Sequence, residues 1–335
     1  MERIVLLVGG AGYIGSELTG YFLNLGYKVR SLDLLLYENQ VCVYPFLLNK
    51  NYEFIYGDMT DEGVTSNALI GVTDVVILAG LVGDPITKKY PQASQKINND
   101  GILNLIRLVN GRGIKRVVFL STCSNYGLIT GDTLADEEFE LKPLSLYAKS
   151  KVAIEKELLG LRGKVDYCPV ILRFATAFGL STRMRFDLTV SEFTRAMYLK
   201  KDLLVYDADT WRPYCHVRDF SRAINMVMLA PDAHVGFEVF NVGGDVNNYT
   251  KQMIINEIKT FIPDAPVRYQ EKGPDPRNYR VSFSKIKGRI GFIPEYTVRD
   301  GVSELLSALS QHLFDKVDER RNFHGNYEIE YSSNM

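Results

Sequence analysis

The sequence predicts an α/β protein built on a doubly wound parallel sheet with a smaller second lobe, and three observations carry that prediction. Short apolar blocks, suited to strands buried on both faces, alternate with longer amphipathic segments through the first half of the chain. The order strand, helix, strand repeats, which is the pattern of a parallel sheet. After about Arg173 the regularity gives way to polar loops with Pro, Arg and aromatic residues, as in a lobe that holds a substrate.

Taken in order, strands are expected over residues 3–8, 28–33, 53–56, 74–78, 115–120 and 167–172, and helices over 14–25, 61–70, 94–110 and 145–161. The run VGFEVFNVG, residues 235–243, reads as one more strand returning to the sheet. This divides the chain into a cofactor-binding part, residues 1–173 with that returning strand, and a substrate-binding lobe from 174–234 and 244–335. The end, residues 323–335, reads as a polar, frayed tail.

Composition narrows the class. The 335 residues are 46% hydrophobic and 24% charged, which excludes a disordered chain or a coiled coil. With 39 Lys and Arg against 40 Asp and Glu the formal net charge is -1, so an extended surface tracking nucleic acid phosphates is not expected. Cys42, Cys123, Cys168 and Cys215 are far apart, with no C-x-x-C pair and no His at ligand spacing. Neither a disulfide framework nor a metal site is indicated, and a reducing cytoplasm is the expected setting. The apolar start Ile4–Val8 is too short for a signal peptide, and no stretch approaches the ~18 apolar residues of a membrane span.

Residues 9–15, GGAGYIG, follow the first strand and open the first helix. Gly9 permits the tight turn, Gly12 lets backbone approach a pyrophosphate, and Gly15 allows close packing of helix on strand, while Tyr13 and Ile14 begin a helix whose free N–H groups face the ligand. Asp33 closes the second strand, where a carboxylate accepts ribose hydroxyls and repels a 2′-phosphate. The cofactor is therefore expected to be NAD on a Rossmann fold. Asp58 and Met59 follow the third strand and Leu78, Ala79 and Gly80 the fourth, on the same carboxyl edge where open α/β sheets bind ligands; Asp58 is placed to accept from the adenine amine.

Tyr147 and Lys151 are four residues apart in YAKSK and share a helix face. An ammonium there stabilises tyrosinate, bringing a phenol of pKa ~10 toward the range of a general base, and also holds the nicotinamide ribose. Just upstream, STCSNYG over residues 121–127 offers hydroxyls to the same atom.

With these motifs, the chain resembles the extended short-chain dehydrogenase/reductases that act on nucleotide sugars. The likeness runs through GGAGYIG, GDM at 57–59, LAG at 78–80, INNDG at 97–101, STCSNYG, YAKSK, LRFATAFG at 172–179, WRPYCHVRD at 211–219 and FNVGG at 240–244. It implies that Tyr147 is the base, Lys151 its partner, Thr122 the group that orients the sugar hydroxyl, and Asn98 a residue that orders the cofactor region. It also implies a nucleotide-diphosphate sugar as substrate and a homodimer that pairs the apolar-faced helices 94–110 and 145–161. The 4,6-dehydratases of that family carry Asp and Glu after the Thr, where this chain has Cys123 and Ser124. Cys123 reads as a small residue filling space beside the sugar, its alternative being proton transfer. Arg212 and Arg277 match diphosphate-binding arginines. Arg183 and Arg185 in STRMRFDL read either as further substrate cations or as a charged surface turn, and His216 as a loop anchor.

The expected reaction is hydride transfer between NAD and C4 of the sugar, by a 4-epimerase or 4-dehydrogenase. A 4-ketosugar reductase would use the same residues. A non-catalytic NAD-binding scaffold would be marked by loss of the Tyr or Lys, and neither is lost.

Overall fold

In the computed structural model, which describes residues 3–273 and 275–331, seven parallel strands form one sheet: β1 (Ile4–Val8), β2 (Lys28–Asp33), β3 (Tyr52–Tyr56), β4 (Asp74–Ile77), β5 (Arg116–Thr122), β6 (Cys168–Phe174) and β7 (Glu238–Val242). Their order is β7-β6-β5-β4-β1-β2-β3, which reverses direction between β1 and β4. That reversal is the switch point where doubly wound sheets open a crevice.

Alternation along each strand sorts side chains to the two faces. Val5 and Leu7 join Val76 and Val118 beneath Leu18 and Phe22 of helix α1 (Tyr13–Asn24). Leu6 and Val8 join Val75, Ile77 and Phe119 on the opposite face, beneath Ala68 of α2 (Glu62–Ala68), Leu105 and Val109 of α3 (Ile102–Val109), and Ile154 and Leu158 of α4 (Leu146–Gly160). The returning strand β7 pairs with β6 in parallel register, Glu238 opposite Val170.

The helix expected over 94–110 is instead Pro91–Gln95, a π-helical turn Lys96–Gly101, and α3. Its apolar residues and those of α4 are spent inside the protomer, leaving Leu103 and Arg107 outward on one helix and Leu146, Lys149 and Lys156 on the other. The second lobe gathers around α5 (Thr189–Tyr198), helix Lys251–Lys259 and α6 (Val298–Ser310), through Phe193, Met197, Ile255 and Val302. The tail is not frayed over residues 323–331: Phe323 and Ile329 are buried, and the extended chain docks on both lobes. Residues 332–335 of the expected tail lie outside the described residues. All four cysteines are free and buried. Among the described residues no helix is long and apolar enough to cross a membrane.

Candidate active site

A cleft of about 610 Å³ follows the carboxyl edge of the sheet from the end of β2 to the second lobe. Every candidate named from the sequence lines it except Asn98 and Cys123. At its floor Gly9 has φ +92, and a Cβ there would stand 2.7 Å from the Ala79 backbone nitrogen. Only glycine lets the turn after β1 lie this close to the loop after β4. Helix α1 starts at Gly12 with no side-chain cap and no acid in its first turn, so its N–H groups and positive end remain available to an anion. The Tyr13 hydroxyl is spent on the Gly179 carbonyl at 2.5 Å, which ties the glycine loop to the second lobe.

Asp33 accepts from Ala11 N at 2.9 Å and Leu35 N at 2.8 Å, so it holds both the glycine loop and the segment after β2. Burial raises its carboxyl pKa against those two bonds, and hydroxyl donors from a ribose would favour the ionised form. Asp58 is held by Thr60 N at 2.8 Å and by the Tyr331 hydroxyl at 2.8 Å. Asn98 sits behind the cleft wall: its Oδ1 accepts from Leu81 N at 2.7 Å and its Nδ2 donates to Leu81 O at 3.0 Å, clamping the loop after β4. The π-helical turn around Asn98 is a feature often found at functional sites.

On the other wall, Thr122 ends β5, and its Oγ1 accepts from Ser124 N at 3.1 Å, leaving the hydroxyl proton free to donate into the cleft. Tyr147 and Lys151 stand one turn apart on α4, with Lys151 Nζ 5.8 Å from the Tyr147 ring centre. Lys151 donates to the Leu120 carbonyl at 2.7 Å. Burial raises the Tyr147 phenol above its ordinary range and lowers Lys151 to about 7, an effect that Glu155 partly opposes.

Cys123 corrects the expectation of a substrate contact. Cys123 opens the 3-10 turn Cys123–Tyr126 just past β5, and there, while Thr122 and Ser124 line the cleft, its thiol turns inward and donates to the Arg173 carbonyl at 3.2 Å. Burial pushes its pKa up, and as an inert thiol it fills core rather than moving protons.

Arg183 and Arg185 are buried, not a surface turn. Arg183 lies 4.3 Å over the Tyr37 ring and bonds Asn326 Oδ1 at 2.9 Å, which puts it on the cofactor side near Asp33 rather than among substrate cations. Arg185 grips Asp187 through both oxygens, at 2.9 and 2.6 Å. Arg212 and Arg277 converge on Asp275, at 3.0 and 2.8 Å, and Arg212 also donates to the Arg277 carbonyl. His216 binds Glu304 at 2.7 Å, whose Oε1 also accepts from Leu180 N, so it does anchor the loop.

Two residues escaped the sequence reading. Asp84, which begins the short helix Asp84–Lys89, lines the cleft; its Oδ2 is 3.4 Å from Arg277, and among the described residues its buried Oδ1 has no hydrogen-bond partner. The signal was a carboxylate just past the loop after the fourth strand. Glu155, one turn beyond Lys151, is 2% exposed and accepts from Ser121 Oγ, from Asn125 at 2.9 Å and from Arg173 at 2.7 Å. The same four-residue step that links Tyr147 to Lys151 reaches it.

The family described as NAD dependent epimerase/dehydratase matches residues 5–243. The chain belongs to that family. It is 26% identical to a dTDP-glucose 4,6-dehydratase of Streptomyces niveus over 317 residues, 90% of each chain. It is 24% identical to a UDP-glucuronate 4-epimerase of Thermodesulfobacterium geofontis, covering 90% of this chain and 94% of that one. Among solved structures it is similar to a Bacillus anthracis dTDP-glucose 4,6-dehydratase in complex with NAD, at TM-score 0.80 and 25% identity over 95% of this chain and 98% of that one. The fold is also that of a Bacillus cereus UDP-glucuronic acid 4-epimerase, at TM-score 0.83 and 22% identity over 92% of this chain and all of the other.

The cofactor of this family member is NAD, and the residues fit it: a glycine turn that admits backbone-close phosphates, an uncapped helix start, and a buried carboxylate for hydroxyl donors. Asp33→Ala is expected to weaken NAD about 10- to 100-fold, which corresponds to the ~1.5–3 kcal/mol of hydrogen bonds to a charged group. NADP, already repelled by the carboxylate, loses less, so the preference narrows. Competition binding with the two nucleotides checks this, and equal affinities in the unaltered protein would contradict it.

Proposed function

We propose that this chain moves hydride between NAD and C4 of a nucleotide-diphosphate sugar, as a 4-epimerase or 4-dehydrogenase. The reading is carried by one juxtaposition: Thr122, Tyr147 and Lys151 line the same cleft as the Arg212–Arg277 pair, with Arg277 3.4 Å from Ser124 Oγ, two residues beyond Thr122, so one ligand can meet both groups. Arginine forks suit phosphate oxygens, and Asp275, which both arginines bind, marks the place where they already gather anionic oxygen.

NAD, when bound, supplies the hydride acceptor and, in its oxidised form, a positive ring. Tyr147 takes the proton of the sugar hydroxyl while Thr122 orients that hydroxyl by hydrogen bonding. Lys151, fixed by the Leu120 carbonyl, keeps its ammonium beside the phenol. Two separate buried charges are disfavoured, but tyrosinate beside ammonium is a pair, so the proton passes between coupled groups. Against dehydration, Cys123 is turned into the core and Ser124 offers only a hydroxyl, where an acid and a base would be required.

Purified protein incubated with UDP-, GDP-, CDP- and dTDP-sugars, followed by reduced-nicotinamide absorbance and by NMR of the products, tests the reading. A C4-inverted or C4-oxidised sugar is the expected product. Turnover of none of these sugars, in protein that binds NAD, would overturn it.

A further inference from the structure

The last nine described residues, 323–331, alternate Tyr327, Ile329 and Tyr331 with Glu328 and Glu330, the period of an extended chain with one face against the protein. Burial follows the alternation: Ile329 is 7% exposed and lies in the apolar core with Met59, Leu81 and Ile97, whereas Glu328 and Glu330 face outward.

The segment starts on the second lobe, where His324 O accepts from Phe186 N at 2.8 Å and Asn326 N donates to Asp187 at 3.2 Å. It then crosses to the first. Asn326 Nδ2 donates to Val82 O at 2.9 Å, in the loop after β4, and its Oδ1 accepts from Arg183. Lys89 and Glu328 pair at 2.7 Å. Tyr331 reaches the loop after β3, donating to Asp58 Oδ2 at 2.8 Å with Thr60 Oγ1 3.3 Å away. Asn326 and Tyr327 themselves line the cleft. The loops gripped, after β3 and after β4, are two of those that form the cofactor wall.

We propose that residues 326–331 are a strap that closes the adenosine end of the NAD site and holds the cofactor in place, with Tyr331 as the residue that positions Asp58. The inference rests on the cofactor site and not on the sugar reading. A carboxylate oxygen accepts more than one hydrogen bond. With Oδ1 fixed by Thr60 N and Oδ2 by the Tyr331 hydroxyl, the Asp58 carboxylate cannot rotate, and its remaining lone pairs are set for the adenine amine. The strap joins two lobes by hydrogen bonds, one exposed ion pair and one buried isoleucine, a link light enough to open for cofactor exchange and specific enough to slow it.

The test uses the full chain carrying Tyr331→Phe or Asn326→Ala, with stopped-flow release of NAD and equilibrium binding of both NAD and nicotinamide mononucleotide, which lacks the adenosine. Loss of one or two hydrogen bonds is expected to release NAD roughly tenfold faster. Affinity for the mononucleotide should stay as in the unaltered chain. Tyr331→Phe removes a single hydroxyl, so its melting temperature without NAD should also be unchanged, which separates strap from fold. Release of NAD at the unaltered rate would overturn the proposal, as would equal weakening of NAD and the mononucleotide. Failure of the unaltered chain to bind NAD would overturn the cofactor site and the strap together, whereas failure to turn over any sugar would leave the strap standing.

Discussion

Tyr147→Phe is expected to leave the fold and NAD binding in place while cutting hydride transfer by about 10²–10⁴, the usual contribution of a positioned general base. The substitution deletes one hydroxyl that lines the cleft and makes no hydrogen bond to another described residue. Single-turnover reduction of bound NAD by a responsive sugar measures the loss directly. The pH dependence follows from the pair. Burial lowers Lys151 to about 7 and raises Tyr147, so the first proton to leave as pH rises departs near neutrality. Below that pH the pair holds both protons and has no base; above it, one proton is shared and tyrosinate is accessible. The rate should therefore climb through neutral pH to a plateau. In Lys151→Met the phenol must lose its proton unaided, and the rise should move to higher pH. Tyr147→Phe turning over at the unaltered rate would remove the residue from the role of base.

The pairing of Tyr147 with Lys151 was legible because it depends on local rules. A four-residue step on a helix, a glycine turn after a strand and an acid at the end of the next are all short-range, and the second strand occupies the expected residues 28–33. What escaped depends on contacts distant in sequence. Arg183 looks like a surface cation until Asn326, 143 residues later, folds over it. The strap looks like a polar tail because half of its residues are Asn or Glu; its Tyr and Ile half finds a surface only once the sheet is assembled. The π-helical turn at Lys96–Gly101 spans one more residue per hydrogen bond than an α-helix, and the bond from Leu81 N to Asn98 within it spans 17 residues, so neither is announced by local spacing. Cys123 was misplaced for a local reason: it was grouped with Thr122 by proximity, when the chain leaves the strand at Thr122 and turns into the 3-10 segment Cys123–Tyr126.

Glu155→Ala is expected to destabilise the protein by about 3–5 kcal/mol, a large part of the 5–15 kcal/mol typical of folded domains, because it leaves the Arg173 guanidinium buried without its counter-charge. Arg173 keeps only the Tyr126 hydroxyl at 3.0 Å and the Glu137 carbonyl at 3.2 Å, and the side chains of Ser121 and Asn125 lose a shared acceptor. Urea unfolding, read as a fall in midpoint, measures the effect; a loss under about 1 kcal/mol would mean that water or relaxation satisfies the guanidinium. The double variant Glu155→Ala with Arg173→Met separates charge from packing. Removing both ends of a buried pair is commonly far less harmful than removing one, so the second substitution should restore stability rather than add to the loss. Catalysis should not recover with it. Ser121 immediately precedes Thr122, and Lys151 binds the carbonyl of Leu120, so the carboxylate that holds Ser121 keeps β5 and α4 in the register on which the proposed roles of Thr122 and Tyr147 depend. A double variant that regains stability but stays slow, with NAD still bound, would locate the role of Glu155 in placing Thr122 opposite Tyr147.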